Sequence, residues 1–306
     1  MAWTYDLRPR MAGVGTGIGA ILGAVLLLSL SDALVKLAGD RFGLAQLVLL
    51  RSLVASVLLA AGLWAIGGRA ALVLRRPGWV WARSLSLTAM WLCYYAALPT
   101  IALPLAAACY YLSPIWMALM ARGVLGIAIG PHGWCAIALS ASGVLLAVAP
   151  SPGNLTPVML LPLAAGGFYA LAGILTWGRT REESAGAMAL NLNLCLCIVA
   201  GVGLAYLALS DVKAEGFVLA FWPPLAWNDL ALVALLGLLL AVIATGVALA
   251  YRLAPTPVVG LFDSAYLGFA ALWSALLFAE PPGLREGAGI ALIAAGAVLM
   301  GFRGRR

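Results

Sequence analysis

Three charged residues interrupt apolar sequence in the first sixty positions: Asp32, Lys36 and Arg51. Asp32 and Lys36 stand one helical turn apart, the spacing of an ion pair on a single face. Arg51 lies about eight residues into the next apolar run, so the three form one candidate charge network at similar depth. Asp263 is a second isolated acid, with Arg252 too far along the helix to pair. An acid in that setting attracts an amino group or carries a proton. Aromatic residues accompany these charges: Trp91, Tyr94 and Tyr95; Tyr110, Tyr111 and Trp116; Phe168 and Tyr169; Tyr266 and Trp273. Tyrosine and tryptophan away from an interface need hydrogen-bond partners. A cavity walled by them suits apolar or aromatic groups and cations. The substrate-binding candidates are Trp91, Tyr94, Tyr95, Tyr110, Tyr111, Ser113, Phe168, Tyr169, Asp263 and Tyr266. The competing reading of every one is structural: helix packing with local hydrogen bonds, and a charge network that fixes the first two helices. Asn191, Asn193 and Thr245 are weaker polar candidates.

Enzyme chemistry lacks its parts. The one histidine, His132, has no cysteine, histidine or acid at ligand spacing, so no metal site is expected. Cys93, Cys109, Cys135, Cys195 and Cys197 all fall in apolar runs without paired spacing and read as small packing residues. No glycine-rich loop carries the Lys-Ser/Thr that cradles a nucleotide. We expect no catalytic residues and no cofactor.

The elements that must position these groups follow from composition. Of 306 residues, 64% are hydrophobic and 9% charged, against about 25% charged in soluble domains. The bilayer is therefore the expected solvent. The net charge of +7 does not point to nucleic acid, because basic residues punctuate the apolar runs rather than cluster. The first apolar run is too long for a signal peptide and no small-residue cleavage site follows, so the amino terminus is expected to be retained. Charges, prolines and turn residues cut the chain into ten apolar segments, near 14–38, 43–66, 79–98, 103–122, 132–149, 157–178, 185–209, 228–250, 256–279 and 286–302. With the amino terminus inside, thirteen arginines (8, 10, 69, 75, 76, 83, 122, 179, 181, 252, 303, 305 and 306) fall at the inner face. Three basic residues, Arg41, Lys213 and Arg285, fall at the outer one. That bias places both termini in the cytoplasm. The 210–228 connection, with Phe217, Phe221, Trp222 and Trp227, reads as an aromatic segment at the outer interface. Gly15, Gly19 and Gly23 form a small-residue ridge, expected to pack closely against another helix.

The 99–126 stretch is the most informative. Pro104 opens it, where a helix tolerates proline. Pro114 lies about ten residues further in, where it removes a backbone hydrogen bond and predicts a kink. A carbonyl freed within hydrocarbon must face protein or a water-filled cavity. With Pro257, these are the helix-hinge candidates.

A shift of 153 residues superposes Gly133–Leu146 on Glu286–Leu299, with Ile-Ala-Leu at 137–139 on the same triplet at 290–292 and Gly143 on Gly296. Pro104 falls on Pro257, Tyr110 on Asp263 and Tyr111 on Ser264. Two five-helix halves follow, 1–152 and 153–306. Five is odd, so the second enters the membrane inverted, an arrangement found in transporters with a site at the repeat interface. The fold class expected is an all-α integral membrane protein with ten transmembrane helices in two inverted five-helix repeats.

The stretch PLAAACYYLSPIWMAL resembles the fourth-helix signature of the drug/metabolite transporter superfamily, in its EamA branch. The ending LLFAEPPGLREGAGIALIAAGAVLMG is similar to the branch's second-copy ending, with Ala279-Glu280 where Gly-Glu is usual. The first copy departs further, with Gly126-Ile127 at that place, while Arg51 in the second span matches a common feature. Within the branch the chain most resembles the YddG-type amino-acid exporters. The resemblance implies ten helices, two inverted halves and export or exchange of small metabolites by alternating access, amino acids first. The implied setting is a bacterial-type inner (plasma) membrane, with the lipid bilayer and a small molecule as partners. Transport of another metabolite or a drug-like cation is the neighbouring alternative. A membrane-embedded lipid-modifying enzyme is the distant one.

Overall fold

The computed structural model describes residues 11–101, 103–125, 130–148, 156–210, 216–254 and 256–301. Its regular elements are helical. They are α1 (Met11–Ala38), α2 (Leu44–Gly67), α3 (Pro77–Ala97), α4 (Leu103–Tyr110), α5 (Ser113–Leu125) and α6 (Pro131–Val148), then α7 (Leu160–Arg179), α8 (Ala185–Leu209), α9 (Trp227–Leu253), α10 (Thr256–Asp263), α11 (Ala265–Phe278) and α12 (Leu284–Gly301). Among the described residues, six helical stretches are long and apolar enough to cross a membrane: 13–38, 44–72, 157–179, 185–209, 227–253 and 258–278. Shorter apolar helices cover 105–117 and 131–146. The described residues are all-helical in their regular structure and built as a multi-pass membrane protein.

Where the sequence predicts a kink, the helix stops. α4 ends at Tyr110, Tyr111 and Leu112 form a turn, and α5 restarts at Ser113. Pro114 thus occupies the first turn of a new helix, where its missing N–H has no helical partner to lose. The Tyr110 carbonyl, which residue 114 would serve in a continuous helix, faces α7 at Gly166. A Cβ added there would sit 2.5 Å from that oxygen. Glycine is what allows α7 this close. The matching break between α10 and α11 falls at Ser264 and contains no proline. Pro104 and Pro257 each take the second position of their short helix, so they begin α4 and α10.

Helices pack in reciprocal sets. α1 lies on α9 and α11, and α3 on α7 and α8, while α5 and α4 lie on α7. α2 pairs with α8 and α6 with α12. Contacts of Gly186 with Leu63 and of Gly203 with Ala45 make α2 and α8 antiparallel. In the α6–α12 pair, a Cβ on Gly143 would meet Gly289 O at 2.7 Å, and one on Gly296 would meet Ala136 O at 2.9 Å and collide with Ser140. These helices are also antiparallel, in backbone contact that any side chain would open.

One expectation is corrected and another gains detail. Gly15, Gly19 and Gly23 face outward with open space before them, and Gly17 makes the close contact instead, against Ala254. The 216–226 segment is partly a strap over the start of α2. Phe217 is buried, its carbonyl accepts from Leu44 N (2.7 Å), and Gln46 Nε2 donates to Pro223 O (2.9 Å). Arg41 then ties α9 to this end through Asp229 (3.0 Å). At the other end, Glu183 is buried and accepts from the backbone N–H groups of Arg75 (3.1 Å) and Arg76 (2.6 Å), holding the entry to α3.

Candidate functional site

Helices α1, α3, α4, α7, α8, α9 and α11 surround a partly open cavity. Leu28, Leu87, Met90, Leu192, Leu240, Ile243, Ala244 and Val247 make its apolar wall. Trp91, Tyr94, Tyr110, Tyr169 and Tyr266 are its aromatic lining, and Asp32 and Arg83 its charged groups.

Asp32 is buried and doubly bonded. The Tyr95 hydroxyl donates to Oδ1 (3.0 Å) and the Tyr266 hydroxyl to Oδ2 (2.6 Å). Tyr266 in turn shares a hydrogen bond with Tyr94 (3.0 Å). Arg51 donates Nη1 to the Tyr95 hydroxyl, which links it to Asp32 through one side chain. Its guanidinium lies 4.7 Å from the Trp91 ring centroid and 4.4 Å from that of Tyr95. Cation–π attraction on two rings offsets part of the cost of burying that charge.

The expected network therefore forms without Lys36. That side chain turns away from Asp32, donates to Ile101 O (3.3 Å) and lies 5.4 Å from the Phe278 ring. Helical spacing allows the Asp32–Lys36 pair, but Asp32 spends both oxygens on tyrosines from α3 and α11.

A continuous tyrosine array runs from this acid to the other. Tyr94 packs on Tyr110 (5.5 Å), Tyr110 on Tyr111 (5.1 Å) and on Tyr169 (5.4 Å), and Tyr111 on Tyr266 (5.4 Å). Trp91 packs edge-on against Tyr95 (5.0 Å). Tyr169 donates to Asp263 Oδ1 (3.1 Å), so the last residue of α10 is bonded to α7. Asp263 is buried beside the cavity rather than in its lining. Tyr95, Tyr111 and Ser113 are also buried behind the lining, with Ser113 starting α5. Phe168 is 37% exposed and stands outside it. Phe168 and Tyr169 are consecutive, and the helical turn sends them to different faces.

Two residues of this region lie outside the sequence-derived candidates. Tyr251 is buried and packs on Tyr169 (6.1 Å). Arg83 reads in sequence as one more basic residue at the inner face, yet it is 2% exposed and lines the cavity. Its Nε donates to Thr176 Oγ1 (2.8 Å), and Nη1 is buried without a protein partner. The only sequence signal was its place: seventh in α3, a full turn and more beyond Arg75 and Arg76, which precede the helix.

Residues 15–149 match the EamA-like transporter family. The EamA-like segment runs from α1 through α6 and contains Asp32, Arg51, Arg83 and the α4–α5 break. No curated protein matches the chain. A crystal structure of a protein aligns over 96% of this chain and 99% of its own, at 17% identity and a TM-score of 0.71, a likeness of fold.

Proposed function

We propose that this chain is a secondary transporter of small metabolites, amino acids with apolar or aromatic side chains foremost, working by alternating access across a bacterial-type inner membrane. One observation carries the reading: an apolar, tyrosine-lined cavity with buried charges, set among helices from both ends of the sequence. The EamA-like match over the first of these ends supports it. The aromatic wall suits an aromatic or aliphatic side chain, while Asp263, behind Tyr169 at the cavity's edge, is the candidate acid for a substrate amino group or a coupled proton.

The division into 1–152 and 153–306 belongs to the same proposal. Shifting α4 by 153 residues gives the bounds of α10, and shifting α6 gives those of α12. The contacts of Gly143 with Gly289 and of Gly296 with Ala136 exchange under that shift. Antiparallel packing of α2 on α8 and of α6 on α12 is what an inverted pair of halves requires. Both termini are cytoplasmic in this reading. Arg83, buried in α3, leaves the inner-face arginines twelve against three.

A counterflow screen of the twenty amino acids in proteoliposomes tests the function. Exchange of aromatic or branched-chain amino acids is expected, and exchange of none overturns it. The two acids and the tyrosine faces also favour a second reading, transport of an organic cation, which the same vesicles test with an aromatic monoamine. Asp263→Asn separates roles for that acid. Weaker binding at every pH assigns it the amino group, whereas intact counterflow with loss of pH-gradient-driven uptake assigns it the coupled proton.

A further inference from the structure

Arg83 and Arg51 are both buried arginines of the EamA-like segment, and the protein treats them differently. Arg51 has ring faces on two sides and reaches Asp32 through Tyr95, while its Nε and Nη2 are buried without a hydrogen-bond partner. It does not line the cavity. Arg83 does line it, with one hydrogen bond to a neutral hydroxyl and a buried Nη1 that no protein group accepts from. None of the described carboxylates forms an ion pair with it. Thr176 is itself fixed, donating to Ala172 O (2.7 Å), so it orients the guanidinium without neutralising it. An uncompensated cation inside a membrane bundle is costly, and such groups mark sites that an anion visits.

We propose that Arg83 is the receptor for the carboxylate of the transported solute. Its guanidinium presents N–H groups in the fork geometry that matches a carboxylate. The apolar wall next to it, Leu87 and Met90 one and two turns along α3, continues toward Trp91 and Tyr94. Tyr169 and Tyr110 stand across the same cavity. A solute held at Arg83 by its carboxylate therefore lays an apolar or aromatic side chain along α3. Its amino group, where it has one, faces tyrosine rings and the Tyr169–Asp263 pair. About eleven residues of helix, roughly 16 Å of axis, separate Arg83 from Tyr94, so the two stand at different depths of α3. Asp32 is already satisfied by two tyrosines. The assignment rests on the transport reading and makes it specific: the solute is a carboxylic acid, and an amine without a carboxylate is a poor substrate.

Three probes sharing one phenyl ring test it, by calorimetric binding to the purified full chain. L-phenylalanine carries both charges, 3-phenylpropionate the carboxylate alone and phenethylamine the ammonium alone. The wild-type protein is expected to bind the first two more tightly than the third. Arg83→Gln is expected to weaken both roughly 10- to 100-fold, as loss of a charged hydrogen bond does. Arg83→Lys, which keeps the charge and loses the fork, is expected to fall between. Wild-type binding of phenethylamine at least as tight as that of 3-phenylpropionate overturns the assignment without any variant. Undiminished phenylpropionate binding by Arg83→Gln overturns it too. Binding of 3-phenylpropionate through Arg83 with no binding of phenylalanine supports the assignment and overturns the amino-acid reading. Phenylalanine bound equally by wild type and Arg83→Gln does the reverse.

Discussion

The two ends of the cavity use the same kinds of residue to opposite effect. At the Asp32 end, an acid, an arginine and three tyrosines from α1, α2, α3 and α11 close on one another. At the Arg83 end, a single neutral threonine meets a guanidinium that retains an unused N–H group. A buried charge whose partners are protein groups fixes helices in place. One without an anionic partner keeps its binding capacity for a solute. Burial alone does not distinguish structure from function here, nor does an unused N–H group, since Arg51 has two. What sets Arg83 apart is its place in the cavity lining, without aromatic faces or a tyrosine bridge to an acid.

The largest expected effect comes from breaking the closed end. Asp32→Ala leaves the Arg51 cation without its acid and two tyrosine hydroxyls without their acceptor. A loss of about 1–3 kcal/mol for each orphaned hydroxyl is expected, the range for a buried polar group left without its partner. It is read as a lower melting temperature of the detergent-purified protein. A wild-type melting curve contradicts the structural role.

The open end should behave otherwise. Arg83→Gln removes a poorly compensated charge, so its melting temperature is expected to equal or exceed that of the wild type while carboxylate binding falls. A clear drop in melting temperature with binding intact makes Arg83 the structural residue and erases the contrast.

Intermediate effects belong to the scaffold that both ends share. Gly296→Val introduces a Cβ into the Ala136 and Ser140 contacts and is expected to cost about 1–3 kcal/mol. Gly143→Val is expected to cost a similar amount, because it occupies the reciprocal contact on Gly289 and Ile293. Unequal costs measured by thermal unfolding weaken the case for two equivalent halves.

Hydropathy made the helices legible. Each expected segment coincides with one helix or one helix pair, because the charges and prolines that cut the sequence also end the helices. Pro114 located the first break. The second, at Ser264, carries no such mark, since Leu267 stands where the shift would place a proline. Short-range spacing misled at Lys36, whose i,i+4 geometry with Asp32 is outweighed by tyrosines from two distant helices. Arg83 was illegible for a related reason: its burial depends on α7 bringing Thr176 alongside, a contact between residues 93 positions apart. The neighbours Phe168 and Tyr169 show the same limit at finer grain, because composition names both and only packing chooses between them.

The smallest effects refine the boundary of the site. Tyr169→Phe removes one donor to Asp263 and is expected to cost about 0.5–1.5 kcal/mol in binding of L-phenylalanine, measured by calorimetry. Phe168→Ala, on an exposed face, is expected to leave that affinity unchanged. A larger effect from Phe168 than from Tyr169 places the solute outside the cavity described.

The most direct test of that cavity uses two adjacent positions of α9. Ile243 lines it, whereas Val242 is 48% exposed on the other side of the helix. Each is replaced by cysteine in a chain whose five native cysteines are changed to alanine, and maleimide labelling is followed in proteoliposomes with and without L-phenylalanine. The cavity account predicts labelling at 243 that phenylalanine suppresses, and little labelling at the lipid-facing 242 with or without it. Labelling at 243 that is indifferent to phenylalanine, in vesicles that exchange it, would contradict the account.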